Sequence, residues 1–246
     1  MNVVSIKTDK VTSSGSLLEF LDKHIQEFRN DSILVITSKI VSICEGRVVK
    51  TGDINKHALI EKEAEVFIPP TKSKYDVTLT IKHNLMVPSA GIDESNGNGY
   101  FILWPSDPQK TANQVRAYLC DRFHLLRVGV IISDSRTSPL RWGTTGAAIA
   151  QSGFAALNSY IGEPDIFGRP LEMTKANIAD GLAVAAVLVM GEGKEQTPLA
   201  IIDDVPFVQF QERNPTQEEL DNLSITIEDD VYAPILTSVT WKKGKR

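Results

Sequence analysis

Residues 128–135 read Val-Gly-Val-Ile-Ile-Ser-Asp-Ser, and this stretch decides the fold class. An unbroken apolar run rich in β-branched residues is typical of a strand that is buried on both faces. We expect the strand to stop at Asp134, so that this carboxylate projects from the carboxyl end, where sheets commonly place their ligand sites. The stretch therefore predicts a central strand with an acidic residue at its edge.

The remaining elements are spread along the chain without a regular βαβ repeat, an internal repeat or a separable linker. Further strands are predicted at residues 31–38, 76–82, 100–104, 199–202 and 233–241. Helices are predicted at residues 39–47, 55–66, 107–123 and 174–190. Strands that interleave with only a few helices favour a mixed α+β fold. We assign residues 1–246 to a single unit, built as one large domain or as two small lobes.

Two of these helices carry clear boundary signals. Asp107 is expected to be the N-cap of its helix, with Pro108 at the first helical position. Gly191 is expected to end the helix over 174–190. The apolar face of that last helix is predicted to pack into the core: Ile178, Leu182, Ala185, Ala186 and Val189.

Composition excludes several classes of protein. A net charge of −5 and the absence of a long basic stretch in the body of the chain argue against nucleic acid as a partner. The longest apolar run, residues 182–190, is too short to span a bilayer. Residues 1–11 are charged where a signal peptide would be apolar, so we expect a cytoplasmic protein without a membrane partner. Cys44 and Cys120 fit a reducing compartment better than a disulfide framework.

Two further acids lie on glycine-rich turns. Residues 89–99 read SAGIDESNGNG and contain Asp93, and residues 191–194 read GEGK and contain Glu192. Glycine lets a backbone approach a charged ligand closely, although the same residue types also build plain surface turns. Carboxylates suit Mg²⁺ or Mn²⁺, which one or two of them commonly hold together with substrate phosphates. If Asp93, Asp134 and Glu192 converge, within one chain or across a dimer interface, they form a metal site; otherwise each is a solvated loop acid.

The common motifs of nucleotide and hydrolase chemistry are missing. The GEGK turn lacks the earlier glycine and the following Ser or Thr of a P-loop. The four histidines are scattered without zinc-ligand spacing, and no G-x-S-x-G nucleophile elbow occurs. Phosphate chemistry on this chain would therefore require an unusual site.

Five segments, taken in order, resemble the coenzyme F420-0:γ-glutamyl ligase family. They are SK-IVS-x-x-EGRVV (38–49), AGID-x-SN (90–96), GVII-x-D (129–134), D-x-FGR-x-L (165–171) and VMGEG (189–193). The resemblance implies a two-lobed α+β fold, an intertwined homodimer and the addition of L-glutamate, through its amino group, to an acceptor carboxylate. It also implies GTP as co-substrate, two divalent ions and a monovalent cation such as K⁺; the sequence does not rank GTP against ATP.

The resemblance also assigns roles to residues of this chain. Asp93, Asp134, Ser135 and Glu192 are implied to contact the two metal ions. The implied nucleotide contacts are Ser38, Lys39, Asn96 and the turn over 190–197, in which we include Met190, Gly191, Gly193 and Lys194. We expect Lys39 and Arg141 to add positive charge at the triphosphate or the acceptor. Asp93 and Asp134 are expected to align the attack of the acceptor carboxylate on the γ-phosphate. Arg169 is a further candidate, with pairing to Asp165 as the structural alternative, and Arg47 is similarly ambiguous, with pairing to Glu45 as its structural alternative.

The chain departs from the family pattern at three places. Ser135 stands where the family has Thr, which keeps the hydroxyl. Ile43 stands where the family has a phosphate-binding Lys, and Lys39, four residues earlier on the same helix face, is positioned to compensate. Thr137-Ser138 replaces a Gly-Arg pair, although Arg141 is retained. The lost Arg implies a different acceptor, and the chain is nearer to a bacterial branch associated with glutamylating dihydropteroate or folate.

Two rival functions follow from the same residues. A non-catalytic nucleotide- or metal-binding homologue would explain Ile43 and Ser138, but retention of all three acids argues against it. A phosphotransferase would make an acyl phosphate and pass it to another group. Only a ligase would require both glutamate and the acceptor for phosphate release.

Overall fold

The structure is a computed structural model that describes residues 1–12, 14–69 and 74–245. Its strands are β1 (Asn2–Ile6), β2 (Ser32–Thr37), β3 (Val48–Lys50), β4 (Val66–Phe67), β5 (Leu79–Lys82), β6 (Leu85–Pro88), β7 (Tyr100–Ile102), β8 (Val128–Thr137), β9 (Thr144–Ser152), β10 (Leu157–Ser159), β11 (Lys175–Asn177), β12 (Leu199–Asp203) and β13 (Lys242–Lys243). Its α-helices are α1 (Leu17–His24), α2 (Ser38–Cys44), α3 (Lys56–Glu63), α4 (Pro108–Phe123), α5 (Ile178–Met190), α6 (Gln217–Leu223) and α7 (Ala233–Leu236).

The largest sheet has five strands in the order β1-β12-β2-β8-β9. β2 and β8 run parallel, with Thr37 opposite Ser133, whereas the other neighbours in this sheet pair antiparallel. Parallel strands end at the same edge of a sheet, so the residues that follow Thr37 emerge beside those that follow Ser133. This register brings the start of α2 next to Asp134.

Helices cover both faces of this sheet. Leu34 and Ile36 of β2 point to one face and join a core with Val115 and Leu119 of α4. The alternate residue Val35 points to the other face and packs in a second core with Leu182 of α5. Alternating side chains of one strand therefore enter two separate cores, because successive strand residues point to opposite faces.

A second layer of structure lies between β2 and β8 in the chain. It holds a two-stranded β3–β7 pair and a four-stranded sheet in the order β13-β4-β5-β6, to which the C-terminal segment contributes β13. Helix α3 contributes Leu59 and Ile60 to a third core, which also contains Ile92 and Phe101. The glycine-rich loop that carries Asp93 starts from this layer, in a 3₁₀ turn over Ser89–Gly91.

The α+β class is confirmed, and so are several element boundaries. The strand predicted over 31–38 is β2, and all its residues but Thr37 are buried. Helix α4 has Asp107 as its N-cap, accepting from the Lys110 amide, and Pro108 at its start, as predicted. Gly191 ends α5 at a φ of +78°, which glycine adopts without strain. Cys44 and Cys120 are free thiols and half-buried.

Other predictions were wrong in detail. Helix α5 starts at Ile178 instead of Thr174, because Lys175–Asn177 pairs with β10 and Asn177 caps the helix. Its buried face is therefore displaced from the predicted one and consists of Ala179, Leu182, Ala183, Ala186 and Met190. The strand predicted over 233–241 is instead the short helix α7 followed by turns. Helix α3 ends at Glu63, since Val66–Phe67 pairs with β5 before the proline at 69 is reached.

Candidate functional site

Asp134 lies within β8 and not at its end. The strand continues to Thr137, past a register shift between Ile132 and Ser133, so the prediction that it stops at Asp134 was wrong. The extra residue is on β9, where Ile149 has no partner on β8 between Ala148 and Ala150, and a bulge of this kind bends the strand that contains it. The antiparallel partner β9 supplies the pairing that lets the strand continue, with Ala147 opposite Asp134.

The Asp134 carboxylate has a fixed orientation and no cationic partner. The indole N–H of Trp104 donates to its Oδ2, and the Ser135 amide donates to its Oδ1 at 2.8 Å. Burial raises the pKa of this carboxyl to about 6, against the lowering effect of the Trp104 hydrogen bond. Within the described ranges, no lysine or arginine forms a salt bridge with it. A half-buried carboxylate that is held in one orientation and lacks a paired lysine or arginine is suited to bind a cation from solution.

Asp93 is held by its own loop and by a lysine. The amide and hydroxyl of Ser95 donate to its two oxygens at 2.7 and 2.9 Å, which closes a tight turn. The Nζ atom of Lys39 lies 2.6 Å from Oδ2. Burial raises the pKa of Asp93, but the hydrogen bond and charge of Lys39 outweigh burial, so the net pKa is lowered. Asp93 is therefore ionised wherever the protein is folded near neutral pH.

Lys39 joins the two aspartates into one electrostatic unit. It follows Ser38 at the start of α2 and also donates to the Ser95 carbonyl at 3.0 Å. The negative charge of Asp93 raises the pKa of Asp134, and the positive charge of Lys39 lowers it. Trp104 links the same two segments, because its indole donates to Asp134 and packs against Gly91 at the start of the Asp93 loop. The convergence of Asp93 and Asp134 on one metal ion stays a prediction.

The turn after α5 contacts the same loop. The side-chain amide of Asn96 donates to the carbonyl of Gly193 at 3.0 Å. The Thr197 hydroxyl donates to the Met190 carbonyl at 2.5 Å, and Glu195 accepts from the Gly193 amide at 2.8 Å. These bonds shape the turn and dock it on the Asp93 loop. Gly191 and Gly193 leave its backbone accessible to a ligand.

Other predicted site residues are not drawn together in the single chain. Glu192 and Lys194 are exposed on the turn, and Arg141 is exposed at the tip of the β8–β9 hairpin. Among residues 1–12, 14–69 and 74–245, no group of three or more His, Cys, Asp or Glu side chains is placed to hold a metal ion. Ser38 is buried, and Ser135 is half-buried beside Asp134. The metal role of Glu192 and the charge role of Arg141 stay predictions.

Sequence reasoning missed Trp104 and considered the wrong partner for Arg47. Arg47 pairs with Glu63 at 2.6 Å and donates to the Trp104 carbonyl at 3.1 Å. The signal that was available is a large aromatic residue at the end of the strand predicted over 100–104 and directly before a proline. Nothing in the sequence indicated that its indole reaches β8.

Two smaller expectations are also resolved. Glu45, the partner considered for Arg47, accepts instead from the amide and hydroxyl of Ser106 at 2.9 and 3.0 Å. Arg169 contacts Asp165 through its backbone amide at 2.9 Å, and no salt bridge joins the two side chains within the described ranges.

The donor set suits a hard divalent cation. Asp93 and Asp134 offer carboxylate oxygens and Ser135 offers a hydroxyl, which are the ligand types that Mg²⁺ and Mn²⁺ prefer. The buried charge of Asp134 lacks a cation among its described neighbours, and Lys39 provides one for Asp93 only. The donor types present therefore fit a bound divalent ion.

Comparison with known proteins identifies the family. The model for the family described as F420-0:Gamma-glutamyl ligase matches residues 5–204. The chain is 36% identical over 210 residues to the coenzyme F420:L-glutamate ligase of Methanocaldococcus jannaschii, covering 76% of this chain and 83% of that protein. It is 35% identical over 238 residues to the Methanococcus maripaludis enzyme of the same name, covering 89% and 93% of the two chains. The Archaeoglobus fulgidus enzyme of that name is 31% identical over 207 residues, covering 78% and 82%. The chain therefore belongs to the F420-0:gamma-glutamyl ligase family, a family of ligases.

Proposed function

We propose that this protein is a nucleotide- and metal-dependent γ-glutamyl ligase that joins L-glutamate to the carboxylate of a small-molecule acceptor. The observation that carries the proposal is the ion pair between Asp93 and Lys39, which lies at the start of α2 beside the edge where β2 runs parallel to β8, the strand of Asp134. An acidic pair with one lysine is the charge pattern that holds a metal-bound phosphate. The names of the relatives favour a coenzyme F420-0-like acceptor, and the sequence features of the bacterial branch favour a dihydropteroate- or folate-like one.

The nucleotide, GTP or ATP, is assigned to the Asp93 loop and the turn after α5. Lys39 would contact its phosphates, since its ammonium already lies between Asp93 and the Ser95 carbonyl. Asn96, together with Ser38 and the turn residues Met190, Gly191, Gly193 and Lys194, would complete the pocket. The hydrogen bond from Asn96 to Gly193 supports this assignment, because it joins the loop to the turn.

Asp93, Asp134, Ser135 and Glu192 would hold two divalent ions, Mg²⁺ or Mn²⁺, and K⁺ is a further cation of the proposed reaction. When bound, the divalent ions would neutralise phosphate oxygens and fix the direction of attack. The exposed position of Glu192 leaves its carboxylate accessible to an ion that also contacts the substrate.

The proposed reaction has two steps. An oxygen of the acceptor carboxylate attacks the γ-phosphorus, the bond to the β-phosphate oxygen breaks, and the nucleoside diphosphate leaves. The amine of glutamate, having lost a proton, then attacks the acyl carbon, forms the amide and expels inorganic phosphate. Lys39 and Arg141 would stabilise the negative charge that builds on the transferred group. Asp93 and Asp134 contribute by keeping the phosphate in line with its attacker.

A homodimer is part of the proposal. Large apolar side chains are exposed around the β8–β9 tip and on the loop between β10 and β11: Leu140, Trp142, Ile166, Phe167 and Met173. Exposed apolar patches on a soluble protein commonly mark contact surfaces. Arg141 lies within this exposed segment, so a partner subunit would cover the surface next to it.

Mass spectrometry of reaction products tests the proposal directly. The protein is incubated with GTP or ATP, Mg²⁺ or Mn²⁺, K⁺ and glutamate, with either a coenzyme F420-0-like or a dihydropteroate acceptor. We expect a product one glutamyl residue heavier than an acceptor, together with phosphate release that requires both glutamate and acceptor. Asp134→Asn is the inactive control, and Asp121→Asn, an exposed acid on α4, is the matched active one.

The alternative reading is a non-catalytic homologue that binds nucleotide and metal. Ile43, which replaces a family lysine, favours this reading. It predicts saturable nucleotide binding with no product and no phosphate release for any acceptor. Phosphate release that needs the acceptor but not glutamate would instead indicate a phosphotransferase.

A further inference from the structure

Trp104 was not predicted to belong to the site. Among the described residues, it is the only large side chain outside the predicted site that forms a hydrogen bond with a predicted site acid. Its indole N–H donates to Asp134 Oδ2, while the Ser135 amide occupies Oδ1. A carboxylate has about four acceptor positions, so two bonds fix its plane and leave the remaining lone pairs for a ligand. Indole is a neutral donor, and it therefore orients the carboxylate without cancelling its charge.

The indole is itself held on several sides. Trp104 is only 2% exposed. The backbone of Gly91 passes so close that a Cβ there would overlap the indole nitrogen, which ties Trp104 to the start of the Asp93 loop. The His83 ring stacks on the indole at 6.0 Å between centroids and 11° between planes. The ring is thus packed between the loop and the β5–β6 turn.

A buried ion cluster supports the same residue from the side away from Asp134. Arg47 donates to the Trp104 carbonyl at 3.1 Å and to Glu63 at 2.6 Å. Lys82 donates to the same Glu63 oxygen at 2.8 Å, and its Nζ lies 5.8 Å from the centre of the indole ring. The side chains of Lys82 and Glu63 are 7% and 12% exposed. Since buried ion pairs of this kind lose much stability when one member is removed, the cluster is a rigid support.

We propose that Trp104 is a positioning residue that fixes the Asp134 carboxylate in the orientation needed to bind a divalent cation. The inference rests on the proposed function of Asp134 as a metal ligand. Arg47 joins Glu63 of α3 to the Trp104 carbonyl, and the indole of Trp104 donates to Asp134 of β8. Partners that orient metal ligands in this way are commonly worth a large factor in affinity.

The experiment measures Mn²⁺ binding to the purified full chain from the electron paramagnetic resonance signal of free Mn²⁺. Trp104→Phe keeps an aromatic ring but removes the N–H, so we expect the dissociation constant to rise by about tenfold or more. Trp241→Phe is the matched control, because it removes an indole N–H that donates to the Leu236 carbonyl. We expect that control to bind as the wild type does.

The outcomes separate the inference from the proposed function. A Trp104→Phe protein that binds Mn²⁺ as tightly as the wild type overturns the positioning role and leaves the metal site standing. A wild type that binds no Mn²⁺ overturns the metal role of Asp134, and the positioning role with it. Equal weakening in Trp104→Phe and Trp241→Phe also overturns the inference, because the effect would then be structural.

A second measurement does not depend on the folding of Trp104→Phe. The chain has three tryptophans, so Trp142→Phe combined with Trp241→Phe leaves Trp104 as the sole tryptophan, which is excited selectively at wavelengths that tyrosine does not absorb. We expect Mn²⁺ to quench this emission along the same titration curve as the paramagnetic resonance signal. Emission that does not change when the site is saturated contradicts a direct link between the indole and the metal-binding carboxylate.

Discussion

Lys39 Nζ lies 2.6 Å from Asp93 Oδ2, and this ion pair joins the start of α2 to the glycine-rich loop. It is half-exposed, so its contribution to the free energy of unfolding is small, about 0.5–1 kcal/mol. Its larger role is electrostatic. The pair places a cation and an anion beside Asp134, whose buried carboxyl has no cation of its own in the described structure.

The first prediction concerns Lys39. Lys39→Met should weaken nucleotide binding by about tenfold or more, since a charged hydrogen bond to phosphate is worth roughly 1.5–3 kcal/mol. Lys56→Met is the matched control, because Lys56 pairs with Glu94 on the same loop at 3.3 Å. Calorimetric titration with a nucleotide and Mg²⁺ measures both. Equal losses in the two variants would assign the effect to loop stability and not to a phosphate contact.

The second prediction concerns Asp134 and pH in metal-free protein. Its folded-state pKa of about 6 lies above the unfolded value, so ionised Asp134 destabilises the fold above that pH. Asp134→Asn should therefore raise the free energy of unfolding by about 1–2 kcal/mol at pH 7.5, and the gain should vanish as the pH falls below about 4. Urea denaturation in a chelating buffer checks this. A gain that does not depend on pH would contradict the assigned cause.

Activity should move in the opposite direction. The same Asp134→Asn variant should lose ligase turnover by about 100-fold or more, because a neutral amide cannot balance a divalent cation. Added Mg²⁺ should raise the melting temperature of the wild type and leave that of Asp134→Asn unchanged. Stabilisation of both proteins to the same extent would place the ion elsewhere.

The third prediction concerns Asn96, which adopts a φ of +55° and donates to Gly193. Asn96→Ala should raise the nucleotide KM by about tenfold, because it removes a hydrogen bond worth roughly 0.5–1.5 kcal/mol and releases the turn. Asn98→Ala is the control, since Asn98 has a φ of +50° on the same loop. Asn98→Ala also places alanine at a positive φ, but it removes no hydrogen bond to the turn after α5. A KM that rises equally in both would show that loop conformation alone is responsible.

The fourth prediction concerns the acceptor. Thr137 and Ser138 stand where the family has Gly-Arg, and Ser138 is exposed at the β8–β9 tip. A coenzyme F420-0-like acceptor carries a phosphodiester that an arginine can grip at two points, whereas dihydropteroate carries no phosphate. The wild type should therefore favour the pteridine, and Ser138→Arg should raise kcat/KM on the deazaflavin selectively. Steady-state kinetics on both acceptors decides the matter; a wild type that already prefers the deazaflavin refutes the argument.

The fifth prediction concerns assembly. Light scattering should show a dimer at micromolar concentration, and Phe167→Asp, at an 88% exposed position, should shift it toward monomer. A charge in a buried interface costs several kcal/mol unless it is paired. Leu126→Asp, at a 64% exposed position away from that loop in the sequence, should leave the dimer intact. A folded and active wild-type monomer would count against the dimer.

Sequence reasoning found the central strand because Val128–Ile132 is unbroken and apolar, and buried strands require that composition. It also found Asp93 and Asp134, since acids beside glycine or at a strand end are conspicuous. It missed the bulge after Ile132, which depends on pairing with β9 and leaves no local trace. It missed Trp104 for a related reason, because a contact 30 residues apart in sequence is set by tertiary packing.

Tertiary pairing, which the sequence does not reveal locally, also explains why two elements were predicted in the wrong place. The start of α5 was misplaced because Lys175–Asn177 is recruited into a strand by β10, a partner that helix propensity does not consider. Five of the nine residues over 233–241 are β-branched or aromatic, yet the segment forms α7 and turns and pairs with no strand among the described residues. No helix formed by the described residues has the length and apolar character needed to cross a membrane.

The parallel pairing of β2 with β8 has a consequence for how the protein folds. Residues 38–127 lie between these strands, so the pairing must close a loop that contains all of the second layer except β13. Contacts this distant in sequence form slowly, because chain entropy is lost before they contribute any stability. We therefore expect the pairing that sets the start of α2 beside β8 to be among the slower steps of folding. A chain that has lost this single pairing would retain much of its helix and its outer strands while binding no ligand, so ligand affinity reports on the completion of folding.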